Sequence, residues 1–136
     1  MIYHGNRMKV RTGADPEEVE RALDVLQAQG TLIPAVKSFI VGREYGEFDW
    51  SAVFVLEDLD GYREYLDHPA HRETEQVGLD LMESLEVFDI TDDPDPEFPA
   101  KVAELQRLHY EADPGLTARL SGLDSHTGSS VVAPPE

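Results

Sequence analysis

The stretch Trp50–Leu56 is apolar on both of the faces that a β-strand would present. Its side chains alternate between Trp50, Ala52, Phe54 and Leu56 on one face and Val53 and Val55 on the other. Residues 35–44 and 84–91 show the same double pattern. A sheet with helices on one face alternates apolar and polar residues, so the second face of this sheet needs its own cover. The simplest cover is the same sheet of a second copy, which predicts a homodimer.

Strand-like alternation also occurs in residues 2–11 and 48–57, and helical patterns separate the strands. The first helix is predicted to begin at Pro16 after an Asp15 cap, and to end at Gly30. A short helix is predicted to start at Asp58 or Asp60, and a further helix at Pro69 to run to about Met82. The order β-α-β-β-α-β predicts an α+β, ferredoxin-like subunit with an antiparallel sheet.

The chain is predicted to divide into a barrel domain of residues 1–91 and a C-terminal extension of residues 92–136. The run Asp92–Pro96 is an acidic linker, and residues 97–120 are predicted to be largely helical. The apolar positions predicted to face the domain are Phe98, Val102, Leu105 and Leu108. After Ser121 the composition favours disorder, and removal of residues 92–136 is expected to leave the fold intact.

The composition excludes several classes of function. A formal net charge of −17 argues against nucleic acid and against anionic membrane surfaces as partners. The absence of cysteine excludes disulfides, thiolate metal sites and a cysteine nucleophile. No apolar run approaches the roughly 20 residues of a membrane span, and no signal peptide is recognisable, which favours a cytoplasmic protein.

The segment from Tyr65 to His71, YLDHPAH, is the richest in candidate chemistry. His71 falls in the first turn of a predicted helix, where the helix dipole favours a neutral imidazole that can act as a general base. Tyr65 lies one helical turn earlier and could donate a hydrogen bond to an oxyanion. Gly78 follows on the same face and would leave room for a ligand. The alternative is structural, with His71 capping the helix junction and Tyr65 in the core.

Polar residues also interrupt the apolar faces of two strands. His4 and Asn6 share a face with Met8, and Asp89 shares one with Val87. Such groups either satisfy one another or line a cavity, and Asp89 could orient a histidine. The five histidines show no metal-ligand spacing, and His109 and His126 are assigned no role.

The YLDHPAH segment resembles the stress-responsive dimeric α+β barrel (Dabb) family. Supporting similarities are Ile2-Tyr3-His4, residues 32–36, Val41-Gly42 and Val87-Phe88-Asp89, in a consistent order over about residues 1–91. The resemblance implies a subunit that pairs with its twin through its sheet to form a barrel. The family includes stress-induced proteins and a plant cyclase that closes a linear poly-β-ketone into an aromatic ring.

The resemblance implies catalytic roles for Tyr65 and His71 in a polyketide-type cyclase that acts without cofactor or metal on a small carbonyl substrate. His4 and Asp89 correspond to pocket positions of the plant cyclase, whereas Asn6 replaces an apolar one. The full predicted pocket consists of His4, Asn6, Met8, Phe39, Trp50, Phe54, Gly78, Leu81 and Asp89. The alternatives are a cofactor-free monooxygenase of the related barrel type, and a stress or ligand-binding protein without activity.

Overall fold

The computed structural model describes residues 1–132 of the chain. The strands are β1 (Ile2–Val10), β2 (Val36–Arg43), β3 (Trp50–Leu56), β4 (Met82–Thr91) and β5 (Ser125–Gly128). The helices are α1 (Pro16–Leu32), α2 (Leu59–Asp67), α3 (Pro69–Gly78), α4 (Phe98–Ala112) and α5 (Pro114–Ser121), with a 3₁₀ turn at Leu79–Leu81.

The sheet has the strand order β2-β3-β1-β4-β5. Strand β1 lies at its centre and pairs antiparallel with β3 and β4, while β2 pairs antiparallel with β3. The predicted α+β, ferredoxin-like subunit is confirmed. The predicted antiparallel sheet gains one parallel edge strand, because β5 runs alongside β4 in the same direction.

Local signals set the starts of the helices. The Asp15 side chain accepts a hydrogen bond from the Glu17 amide at 2.9 Å, and Pro16 follows it at the first helical position. Asp58 caps α2 in the same manner through the amide of Gly61. Between α2 and α3, the cap is His68, whose Nδ1 accepts from the Ala70 amide at 3.0 Å. His71 therefore does not cap the helix junction.

Two predicted helix ends are wrong, and for the first of them the reason is packing. Helix α1 continues past Gly30 to Leu32, because Gly30 serves for close contact and not as a terminator. A Cβ at that position would lie 2.2 Å from the Phe39 ring. Helix α3 ends at Gly78, four residues before the predicted end, and Met82 already belongs to β4.

The helices cover one face of the sheet, and the opposite face stays open. The core between helices and sheet includes Phe54, Leu56, Tyr62 and Tyr65, all at most 1% exposed. The open face, termed the outer face below, carries the exposed side chains of Tyr3, Ile40 and Ile90. Within the described residues, no helix is long and apolar enough to cross a membrane.

The C-terminal extension packs on the helix layer, not on the outer face. Phe98, Val102 and Leu116 are buried in the same core as the sheet residues. Helix α4 turns Gln106 and His109 inward, whereas Leu108, predicted to face the domain, is 38% exposed. The predicted inward face of this helix is wrong, because Gln106 and His109 form buried hydrogen bonds, described below, with residues of α2 and α3.

The disorder predicted after Ser121 is wrong for Ser125–Gly128, which form β5. The strand pairs with residues 84–87 of β4, so its backbone groups are satisfied in the sheet. Residues 133–136, for which disorder was also predicted, lie outside the described residues.

A pair of leucine substitutions tests the docking of the extension. Leu116 is 1% exposed, so Leu116→Ala is expected to destabilise the protein by about 2–5 kcal/mol. Leu108→Ala, on the exposed side of the same extension, is expected to change stability by no more than about 0.5 kcal/mol. Urea unfolding of both variants measures the difference. Equal stabilities would show that the extension is not docked in solution.

Candidate functional site

A cavity of about 80 Å³ lies between the helix layer and the sheet. Strand β1 contributes His4, Asn6 and Met8 to its wall, α2 contributes Tyr65, and α3 contributes His71. The other lining residues are Leu26, Gln29, Leu66, Thr74, Glu75, Leu79, Met82, Leu85, Val87, Gln106, Tyr110, Leu120 and Ser130. The structure thus brings four of the predicted polar site residues around one space, and the extension closes it.

His71 is held in one tautomer by a residue from α1. Its Nδ1 lies 2.9 Å from Oε1 of the buried Gln29. Because a carbonyl oxygen only accepts, the proton of a neutral His71 lies on Nδ1, and Nε2 carries the lone pair. Burial lowers the pKa of His71, although the neighbouring Glu75 carboxylate opposes this effect. The arrangement presents an unprotonated ring nitrogen at the cavity wall.

Glu75 lies one turn after His71 and joins it to the extension. Its Oε2 is 3.6 Å from His71 Nε2. On the other side, His109 Nε2 from α4 lies 2.9 and 3.0 Å from the two carboxylate oxygens. Burial by itself raises the pKa of Glu75, but the charge of His71 and the hydrogen bond from His109 outweigh it and lower the pKa to about 2. Glu75 is therefore an ionised, nearly buried carboxylate between two imidazoles.

Tyr65 lies directly beside His71 and close to His4. Its ring centroid is 4.6 Å from that of His71 and 5.3 Å from that of His4. Burial raises the pKa of Tyr65, as do the charges of Glu75 and Asp89, while a hydrogen bond to Asn6 opposes the shift. The phenol therefore stays protonated and can donate a hydrogen bond into the cavity.

A second polar network holds His4. The His4 Nδ1 lies 2.8 Å from Asp89 Oδ1, so that this nitrogen carries the proton and donates it. The Tyr62 hydroxyl donates to Asp89 Oδ2 at 3.0 Å and accepts from Gln106 at 3.1 Å. Ser129, which follows β5, donates to the same carboxylate oxygen at 2.6 Å. The network fixes the ring of His4 against the cavity with two residues of the extension.

A smaller cavity of about 40 Å³ adjoins the first and is lined mainly by apolar side chains. Trp50, Gly78 and Leu81 line it, as predicted for pocket residues, and Met8 lies between the two cavities. Its other walls come from Val10, Val19, Ala22, Leu23, Leu26, Thr74 and Met82. The two spaces together combine a polar end near His71 with an apolar end near Trp50.

Three predicted pocket residues line neither cavity. Phe54 is fully buried and packs between Phe39 and Tyr65, with ring centroids 6.1 and 5.5 Å away. Phe39 covers Gly30. Asp89 bonds His4 and does not orient His71, because Gln29 and Glu75 take that place.

Several residues around His71 and His4 were missed at the sequence level. Glu75 carries a signal that could have found it, since position i+4 from His71 shares its helical face. No role is predicted from the sequence for His109 or Gln106. Their three-residue spacing, in phase with Phe98 and Val102, would have identified them as inward-facing.

The Asp89 network makes a prediction about stability and pH. Burial raises the pKa of Asp89, but hydrogen bonds from His4, Ser129 and Tyr62 and the charge of His4 lower it overall. The depressed pKa adds stability above the unfolded value of about 3.9, and this stability is lost as pH falls through the folded pKa. Asp89→Asn is expected to cost about 1.5–3 kcal/mol at pH 7, and less as the pH falls below 4.

Thermal melts of the native chain and of Asp89→Asn, run side by side at each pH, measure this loss of stability. Taking the difference between the two proteins cancels the effect of overall charge on stability. A difference between the two proteins that stays constant from pH 7 to pH 3 would contradict the assignment.

Comparison with known proteins gives a family and a fold. The sequence model of the Stress responsive A/B Barrel Domain, Dabb, matches residues 2–92. A dimeric ferredoxin-like protein of unknown function from Thermobifida fusca is 24% identical, with a TM-score of 0.60, and the match covers 66% of this chain and 89% of that one. Comparison with curated proteins finds no match.

Two structurally similar proteins are enzymes. A hydroxynitrile lyase from Passiflora edulis is 10% identical with a TM-score of 0.61, and the match covers 69% of this chain and 94% of the lyase. SnoaB, a cofactor-independent oxygenase from Streptomyces nogalater, is 21% identical with a TM-score of 0.55 over 70% of this chain and 95% of the oxygenase. At these identities the similarity shows the shared fold alone.

Proposed function

Because the chain belongs to the Dabb family, whose fold also serves a lyase and an oxygenase, we propose that it is an enzyme that acts on a small carbonyl compound without a cofactor. The reaction class that the site favours is polyketide-type cyclisation. The observation that carries this proposal is the pair formed by His71 and Tyr65, a base and an acid 4.6 Å apart between ring centroids, on the wall of one cavity.

The proposed reaction begins with proton removal from a carbon between two carbonyls. Nε2 of His71 takes this proton, and the Tyr65 hydroxyl donates a hydrogen bond to the enolate oxygen. The carbanion then adds to the carbon of a third, more distant carbonyl of the same substrate chain and forms the ring bond. The imidazolium of His71 returns its proton to the resulting alkoxide. Glu75, 3.6 Å from Nε2, stabilises the imidazolium between these two steps.

The cavity supports a substrate with a polar and an apolar end. The carbonyl groups would lie near His71, Tyr65 and Asn6, and an apolar substituent would extend toward Met8 and Trp50. A carbon flanked by two carbonyls is already acidic, so the protein needs to supply only positioning and a base.

We further propose that the chain forms a homodimer through its outer face. Ile40 and Ile90 are 67% and 61% exposed on this face, beside the exposed ring of Tyr3. Apolar patches of this kind mark interaction surfaces, and a two-fold axis lets one such patch cover itself. The similar protein from Thermobifida fusca is described as dimeric.

A cofactor-free oxygenase is the second candidate, favoured by Trp50 at the apolar end of the cavity and by the similarity to SnoaB. The two candidate activities are distinguished by incubating the protein with a linear poly-β-ketone and, separately, with an electron-rich phenol. A cyclase yields a cyclic product from the ketone, and an oxygenase consumes oxygen with the phenol. Tight binding of either compound without turnover would identify a ligand-binding protein and contradict both activities.

A further inference from the structure

We propose that His71, Glu75 and His109 form a binding site for one divalent transition-metal ion of the zinc type. The site lies between α3 of the barrel domain and α4 of the extension. The site shares His71 with the proposed carbonyl chemistry, but the evidence for it is separate, because it rests on the geometry of the three ligands.

The ligand set is two imidazole nitrogens and one carboxylate. The available ligand atoms of the three residues lie within 4.8 Å of one another. The Nε2 atoms of both histidines approach the same carboxylate, at 3.6 Å for His71 and 2.9 Å for His109. An ion with bonds of about 2.0–2.2 Å needs ligand atoms roughly 3–4 Å apart, so small side-chain rotations would close the site. Two histidines and one carboxylate form a ligand set found for zinc and for non-haem iron.

Residues outside the triad also fit metal binding. A histidine that ligates through one nitrogen almost always donates the N–H of its other nitrogen to an oxygen, which fixes the ring. Gln29 Oε1 accepts in this way from His71 Nδ1 at 2.9 Å. Two buried side-chain polar atoms of residues 1–132 lack a hydrogen-bond partner, Gln29 Nε2 and His109 Nδ1. Both atoms lie beside the triad but are not among its ligand atoms, so the ion would leave them unchanged and the ligand geometry alone carries the proposal.

The charge balance of the cluster favours a cation. Glu75 is largely buried, and buried carboxylates are paired with a cation or bound to a metal. Within the part of the chain that the structure describes, neither lysine nor arginine pairs with Glu75. Only the two histidines contact it as potential cations, and each can hold either a proton or a metal ion. The cavity beside His71 and Glu75 leaves room for a further ligand such as water.

Metal binding and the proposed base catalysis use the same atom. An ion held by Nε2 of His71 occupies the lone pair that would accept the substrate proton. The metal-loaded protein is therefore expected to be inactive in the proposed reaction, with activity returning after chelation. Metal binding itself is measured without substrate, so failure of the cyclase proposal leaves this one intact, and the reverse also holds.

The test is a titration of chelator-treated protein with Co²⁺, followed by visible absorption, and with Zn²⁺, followed by calorimetry. We expect one ion per chain. Glu75→Gln and His109→Gln each remove one ligand and are expected to weaken binding by more than about 100-fold, since loss of outer partners alone costs about 10–100-fold. The matched control is His68→Asn, which removes the neighbouring histidine but keeps a side chain suited to capping α3. It is expected to change affinity by less than about twofold.

Two results would overturn the proposal: no saturable Co²⁺ absorption by the native chain, or affinities that Glu75→Gln and His109→Gln leave unchanged. Circular dichroism identifies any variant that does not fold. In that event the native chain decides, through the ¹⁵N resonances of its histidine rings on addition of Zn²⁺. Shifts at His71 and His109 but not at His68 would support the site, and no shift at the first two would refute it.

Discussion

Replacement of His71 by alanine is expected to lower turnover by about 10²–10⁴-fold, the usual contribution of a general base. The reason is that Nε2 of His71 carries a lone pair at the cavity wall, while Nδ1 is fixed by Gln29. Substrate affinity is expected to change little, because the imidazole acts mainly in the transition state. Single-turnover rates on a linear poly-β-ketone measure the effect.

Tyr65→Phe is the companion variant, and it is expected to lower turnover by about 10²–10³-fold through loss of one oxyanion donor. Tyr62→Phe is its matched control. Tyr62 is equally buried, but its hydroxyl bonds Asp89 and lines neither cavity. Loss of that hydroxyl is expected to lower stability by about 1–3 kcal/mol and to reduce turnover far less than Tyr65→Phe does, because Tyr62 can affect the cavity only through the position of His4.

A purely structural role for His71 makes the opposite prediction, namely lower stability with activity lost only through unfolding. Thermal melts run beside the rate measurements separate the two. A well-folded His71→Ala protein that turns over substrate at the native rate would exclude His71 as the base. His68→Asn again serves as the control for the loss of a nearby histidine.

The fold of the residues that match the Dabb family could be predicted because its signals are local. Strand alternation, the cap at Asp15, and the prolines at positions 16 and 69 each act within a few residues of the structure they set. The predictions are wrong where contact with a residue distant in sequence determines the local structure. The sequence suggests that Gly30 ends the helix. In the structure the ring of Phe39 packs closely against Gly30, where any side chain would clash with it.

Only the site residues within the part of the chain that matches the Dabb family were predicted from the sequence. His71, Tyr65, His4 and Asn6 lie at positions marked by strand or helix phase, and the structure places them on one cavity. The roles of Gln29 and Glu75 depend on contacts that only the folded chain makes. His109 lies 34 positions after Glu75, on a helix whose predicted phase was set by leucines. A polar side chain faces the core only where a buried hydrogen-bond partner is present. The periodicity of the sequence carries no information about such partners.

The dimer should be the feature most sensitive to a single charge. The native chain is expected to sediment as a dimer at micromolar concentration, because a monomer would leave the apolar outer face in water. Ile40 is 67% exposed in the single chain, so Ile40→Lys should not disturb the subunit itself. The proposed dimer would bury this position twice, and each buried lysine is expected to cost at least about 2 kcal/mol.

Two such costs correspond to a dimer about 10³-fold weaker, since each 1.4 kcal/mol is a factor of ten. Leu32→Lys is the matched control, because Leu32 is 59% exposed at the end of α1, on the helix side of the sheet. The same aliphatic-to-lysine change there is expected to leave the dimer intact. Sedimentation velocity distinguishes the variants. It is measured at physiological salt, because the salt screens the repulsion that a net charge of −17 per chain imposes on any self-association. A native chain that sediments as a monomer, or an Ile40→Lys dimer as stable as Leu32→Lys, would mean that the outer face is not the interface.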